Sequence, residues 1–151
     1  MLNHFSEYIL LISYHMLLNK LPLLYVINAD PQTEEGSHKQ AIHFQTRSST
    51  AFYFDSYVRH PYIATIQAFL RRNYTVSDYN TIQLQGLTST VCGNYCCLFA
   101  LHMDRGYTPK QFVGLCTPGI VDQQISLLFT FEFGSLGGTP RGQCCTSLYK
   151  W

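Results

Sequence analysis

Charge is scarce in this chain. Asp, Glu, Lys and Arg together make up 13% of its 151 residues, the formal net charge is +1, and no basic run occurs. A protein built to hold phosphate backbones clusters Lys and Arg on one face, so a dedicated nucleic-acid binder is a poor first reading. Low charge beside 46% apolar residues also argues against a disordered tail. Metal-ligand spacing is missing: there is no CxxC, and no Cys/His group falls at zinc intervals. No metal and no cofactor is expected. Cys92, Cys96, Cys97, Cys116, Cys144 and Cys145 form two adjacent pairs and two singles, unlike the spaced framework of a small secreted domain. Reduced thiols inside a cell are the simpler expectation.

Long apolar runs are lacking too. Tyr8–Ile27 is apolar, but His15, Asn19, Lys20 and Pro22 interrupt it. No clean run reaches the roughly 20 residues that a spanning helix needs. Met1–Glu7 offers no basic n-region, so a signal peptide is not expected either. The stretch reads better as a short apolar helix over Ser6–Leu18 followed by a buried strand over Leu23–Asn28. No membrane partner is expected.

What the chain does have is aromatic bulk: 11 Tyr and 10 Phe, enough for a sizeable core in a single domain over residues 1–151. Ala29–Ser37 is polar with Pro and Gly, and reads as a loop. His38–Gln45 and Thr50–Ser56 flank Thr46–Ser49 and make a β-hairpin. Pro61 suits the first turn of a helix over Tyr62–Asn73, whose apolar face is Ile63, Ile66, Ala68, Phe69 and Leu70. Thr81–Leu84 is a short strand candidate. Cys92–Met103 is apolar nearly all round, as a buried central helix is, and Asp104–Arg105–Gly106 ends it. Pro109–Leu115 and Val121–Phe131 are further helix candidates. Gly134–Gly142 is a loop, and the terminal CCTSLYKW has no assignment. The order predicts an α+β fold, a small mostly antiparallel sheet packed against a central helix that carries Cys92 at its N-terminus.

Cys92, followed by Gly93, stands where a helix begins. The positive end of the macrodipole and unpaired N–H groups favour thiolate there, and thiolate is the nucleophilic form. Most free cysteines are simply small buried residues, a description that suits Cys96 and Cys97 better. A base is needed as well. His102 lies ten residues along the same helix, roughly 15 Å away by helix rise, and is out of reach. His4 and His15 fall in a weakly specified segment. His38 and His43 are five apart, so they point to opposite faces of their strand. With the hairpin turning near Arg47, His38 lies roughly across from Asp55, close enough for the carboxylate to hold one imidazole nitrogen. His43 would fall opposite Ser49–Ala51, with no carboxylate. Gln85, seven residues before Cys92, could donate its amide to an oxyanion, with the Cys92 N–H as second donor. A solvated loop histidine, a strand-end aspartate and a solvated glutamine are the plain alternatives for these three.

The order His–Asp–Cys differs from papain-like enzymes, in which Cys comes first. The chain resembles the adenovirus protease (adenain) and SUMO-deconjugating protease group, and most closely the cysteine proteases of Polinton (Maverick) elements and adintoviruses. LLYVINADPQTEEGSHKQAIHF (23–44), FYFDSY (52–57) and LQGLTSTVCGNYCCLFALH (84–102) carry the likeness. In that family a Gly-x-His supplies the base, an acid seventeen residues later orients it, and a Gln precedes the Cys-Gly nucleophile by seven. His38 to Asp55 and Gln85 to Cys92 keep both spacings.

The resemblance covers about residues 20–115. The arm before it, 1–19, is short and divergent, and 134–151 is unmatched. It implies a thiol endopeptidase with His38 as base, Asp55 as orienting acid, Cys92 as nucleophile and Gln85 as oxyanion donor, cutting after small residues such as Gly. The implied substrate is a capsid-type polypeptide, and the implied setting is intracellular: nucleus, cytoplasm or a virion. Two departures stand out. Lys39 occupies the position after the histidine where the family usually has Trp, and Asn73–Gln83 lacks the cysteine that bonds an activating peptide in adenovirus protease. An activating peptide or nucleic acid is therefore left unassigned. A deconjugase acting on ubiquitin-like precursors, and an inactive interaction domain of the same fold, are the alternatives.

Overall fold

The computed structural model describes residues 9–14, 22–29, 38–45, 49–59, 61, 63–116 and 122–134. The elements are β1 (Ile9–Tyr14), β2 (Pro22–Asn28), β3 (Lys39–Gln45), β4 (Thr50–Phe54), α1 (Ala64–Asn73), β5 (Val76–Tyr79), α2 (Cys92–Asp104), α3 (Pro109–Cys116) and α4 (Asp122–Phe133). The strands form one open mixed sheet in the order β1-β2-β3-β4-β5. The first four run antiparallel; β5 lies parallel to β4, with α1 as the crossover that a parallel neighbour requires. The α+β class and the mostly antiparallel sheet against a central helix are as the sequence predicts.

Both faces of β2, β3 and β4 are buried, and alternation along these strands divides them. Leu24, Val26, Ala41, Phe52 and Phe54 pack in one core with α2, α3 and α4. Ile27, Ile42, Phe44, Ala51 and Tyr53 pack in another with Ile66 and Leu70 of α1. On the α2 side, Phe54 and Phe99 stack at 4.6 Å between centroids and Phe112 meets both edge-on. Each such ring contributes about 1.5–3 kcal/mol on full burial, so this cluster fixes α2 against the sheet. Helix α2 is buried nearly all round because the sheet covers one side and α3 and α4 the other. It stops at Gly106, whose φ of +87° is the left-handed conformation in which helices commonly end.

Three expectations change. Ser6–Leu18 does not hold a helix: Ile9–Tyr14 is a strand paired with β2. A short apolar run has no decisive period, and here the neighbouring strand decides the outcome. Thr81–Leu84 is not a strand; the strand is Val76–Tyr79, selected by pairing with the exposed side of β4 rather than by its own composition. In the hairpin, His43 faces Phe52 rather than Ser49–Ala51, and continuing that register brings Gln40 opposite Asp55. The Gly134–Gly142 loop beyond Gly134, the CCTSLYKW end and most of the Ala29–Ser37 loop lie outside the described residues. So do His4 and His15.

Candidate active site

Two strand ends and one helix start meet. His38 immediately precedes β3, and its carbonyl accepts the Ala29 N–H at 2.7 Å, which ties it to the end of β2. Asp55 immediately follows β4. Cys92 is the first residue of α2. His38 and Asp55 are 4% and 0% exposed and joined by a 2.9 Å bond between Nε2 and Oδ1. Cys92 Sγ accepts the backbone N–H of Lys39 at 3.4 Å. Of the four residues singled out from the sequence, the structure brings these three together.

A network the sequence reading missed holds the carboxylate. Asp55 Oδ1 also accepts the Tyr57 N–H at 2.8 Å, and Oδ2 accepts Gln40 Nε2 at 3.1 Å. Asn80 clasps the Asp55 backbone, accepting its N–H at 3.0 Å and donating to its carbonyl at 2.7 Å. Gln40 was open to inference, since it lies two residues from His38 and across from Asp55 once the register is right. Asn80 carried no signal, because its partner is 25 residues away through an irregular turn.

The charges follow from this geometry. Burial pulls the His38 imidazole down, but the Asp55 hydrogen bond and the thiol of Cys92 more than reverse it, raising it from 6.5 to about 9. Burial pushes the Cys92 thiol up, yet the His38 contact, the Lys39 N–H and the positive charges of both residues bring it below its ordinary value. The helix N-terminus works in the same direction. The remaining ring nitrogen, Nδ1, has no aligned hydrogen-bond partner. Sites without substrate often hold this contact loosely. Each charge favours the other: the imidazolium lowers the thiol, and the thiolate raises the imidazole.

Tyr57 walls the histidine, its ring 5.0 Å from the imidazole and its hydroxyl donating to the Ser89 carbonyl at 2.5 Å. The turn that presents it includes Val58 at φ +62°, a region that β-branched residues avoid at a cost of about 1–3 kcal/mol. Its N–H donates to the Asp55 carbonyl at 2.9 Å, so the Asp55 turn and the strained residue are one unit.

Gln85 is 1% exposed and fixed otherwise. Its Oε1 accepts the Ser56 hydroxyl at 2.6 Å and its Nε2 donates to the Ser89 carbonyl at 2.8 Å. None of its hydrogen bonds is to Cys92 or His38; it links the turn after Asp55 to the loop before α2. That loop is clamped from α4: Asp122 accepts the Gly86 N–H at 3.0 Å and the Tyr95 hydroxyl at 3.1 Å. A Cβ on Gly86 would stand 2.9 Å from Asp122 Oδ2, so a larger residue must displace the carboxylate that holds the loop.

His43 is a different histidine. Burial pulls it to about 4, its Nδ1 has no partner, and it packs edge-on to Phe99 as a core residue. His102 bonds the Leu98 carbonyl within α2. Among the described residues, no group of three or more His, Cys, Asp or Glu could hold a metal ion. Among them too, no helix is long and apolar enough to cross a membrane.

The fold is shared with a protease. The crystal structure of the selenomethionine form of the ASFV pS273R protease superposes with a TM-score of 0.50 at 23% identity. The match covers 71% of this chain and 42% of that one, so this chain spans less than half of that protein's length. No protein-family model and no curated protein matches the sequence.

The pH dependence of any thiol chemistry here follows from the pair. The rate of peptide turnover should rise as Cys92 ionises below its ordinary range and fall as His38 loses its proton near pH 9, whereas alkylation, which needs the thiolate alone, should rise and then level off. Stability moves in step. Because His38 is raised on folding, its contribution is full below about pH 6.5 and lost as pH rises through about 9. A pH–rate profile that still climbs through pH 9, as an ordinary thiol gives, contradicts the pairing.

Proposed function

We propose that this chain is a cysteine endopeptidase of viral or mobile-element type. It cleaves peptide bonds after small residues such as Gly, in the maturation of capsid-type proteins. The observation that carries this reading is the convergence at one site of a helix-terminal thiol and a buried imidazole that is hydrogen-bonded to a buried carboxylate. A fold held in common with a protease supports it. The Cys92 thiolate attacks the carbonyl carbon. The developing oxyanion is met by the Cys92 N–H and by the Gln85 amide, whose second Nε2 hydrogen is uncommitted. His38 gives its proton to the leaving amine and becomes the base that draws a proton from water as the acyl-enzyme is hydrolysed. Asp55 fixes the ring throughout. A reducing intracellular compartment suits such a thiol.

The test is a thiol-reactive peptide probe ending in Gly, with the adduct mapped by mass spectrometry. The adduct is expected on Cys92 alone. Labelling spread over Cys96, Cys97 or Cys116, or no labelling at all, removes the protease reading. Reaction only with a probe built on a ubiquitin-like protein would turn the proposal toward deconjugation.

A further inference from the structure

Two cations that pair with no carboxylate among the described residues stand beside the triad. The Lys39 stem lies across the first turn of α2: a Cβ on Gly93 would be 3.1 Å from Lys39 Cδ and 3.8 Å from Cε. Gly93 is thus the vacancy into which that stem packs, a common use of a long charged side chain that keeps its head in water. The Lys39 charge acts on Cys92, lowering its thiol, and the same residue's N–H donates to Cys92 Sγ at 3.4 Å. Arg59 reaches the site from the turn after Asp55, its guanidinium 5.5 Å from the centroid of the Tyr57 ring that walls His38. Among the described residues, ion pairs join His38 to Asp55, Arg105 to Glu132 and Lys110 to Asp78, and none involves Lys39 or Arg59. Of the described carboxylates at the site, Asp55 is sealed in its network and Asp122 holds Gly86 and Tyr95.

We infer that Lys39 and Arg59 select acidic peptides, taking an Asp or Glu side chain within two residues of the scissile bond. This rests on the protease reading and adds to it the substrate class. Lys39, at the start of β3, acts from beside the nucleophile and Arg59 from the wall of the base, so a substrate carboxylate near either one meets positive charge.

The experiment is cleavage of an equimolar synthetic peptide library, with cut sites read by mass spectrometry. The wild type is compared with Lys39→Met, Arg59→Gln, the double variant and Lys39→Glu. Comparing acids with their amides inside one variant cancels any change in thiol reactivity. The wild type should favour Asp and Glu over Asn and Gln near the cut by about five-fold, as a partly exposed ion pair gives. That preference should shrink as salt rises. Lys39→Met, which keeps the packed stem, should lower it, the double variant should abolish it, and Lys39→Glu should turn it toward Lys and Arg. Cleavage without acidic preference, or a preference that survives the double variant, overturns the inference and leaves the protease reading standing. A library left uncut by the wild type, with Cys92 unlabelled by the Gly-ended probe, overturns both.

Discussion

Cys92→Ala is expected to lower kcat/KM for any cleaved peptide by about 10⁴-fold or more, the scale on which a covalent nucleophile counts. Thermal stability should change little, because the substitution leaves α2 and its aromatic packing intact. The Lys39 N–H loses an acceptor, but it lies at the site's open edge where water can replace sulfur, so the cost is about 1 kcal/mol. No other described thiol can stand in. Cys96 and Cys97 are 0% and 2% exposed within the core, and burial pushes Cys116 up to about 12, where it is a poor nucleophile at neutral pH. The measurements are peptide hydrolysis and a melting curve on the same preparation. Residual hydrolysis above one part in a hundred, with an unchanged melting curve, would move the chemistry away from Cys92.

Much of this site was legible because its parts sit at the ends of elements that sequence specifies well. A short apolar run announces β2, aromatic and alternating residues announce β3 and β4, and the nearly all-round apolar character of Cys92–Met103 announces α2. His38, Asp55 and Cys92 lie at or within one residue of those ends. What was not legible depends on partners distant in sequence. Ile9–Tyr14 became a strand because β2 offered it an edge, and Val76–Tyr79 did so because β4 offered another. Asn80, Ser56 and Ser89 are ordinary polar residues until irregular turns aim them at Asp55 and Gln85. Gln85 shows the limit most plainly. Its spacing from Cys92 drew attention to it, but spacing carries nothing about Ser56 and Ser89, which bond its Oε1 and one of its Nε2 hydrogens. Val58 is likewise silent in the sequence: an unremarkable valine whose positive φ is imposed by the turn between Asp55 and the Tyr57 wall.

Asp55 should separate two roles that the other residues confound. Asp55→Ala leaves His38 Nε2, the Tyr57 N–H and Gln40 Nε2 without their acceptors in a site that excludes water. Removing one partner of such a buried set costs about 3–5 kcal/mol, so both folding and activity should suffer. Asp55→Asn keeps the volume and one acceptor oxygen but presents an amide N–H₂ to groups that themselves donate. It should cost less in stability, and about 10³–10⁴-fold in kcat through the wrong ring tautomer and the loss of the imidazolium's counter-charge. Without that charge His38 should fall from about 9 toward its ordinary value, carrying the alkaline limb of the pH–rate profile down with it. The linked stability contribution must shrink over the same interval, because a smaller rise on folding leaves less to lose above pH 6.5. The decisive comparison is therefore the Asn variant against wild type, in kcat, melting temperature and alkaline limb together. A lowered kcat with the limb unmoved would make Asp55 a scaffold for the turn and nothing more. A limb that drops while the fold holds would tie the carboxylate to the proton on His38, and through it to the thiolate at Cys92.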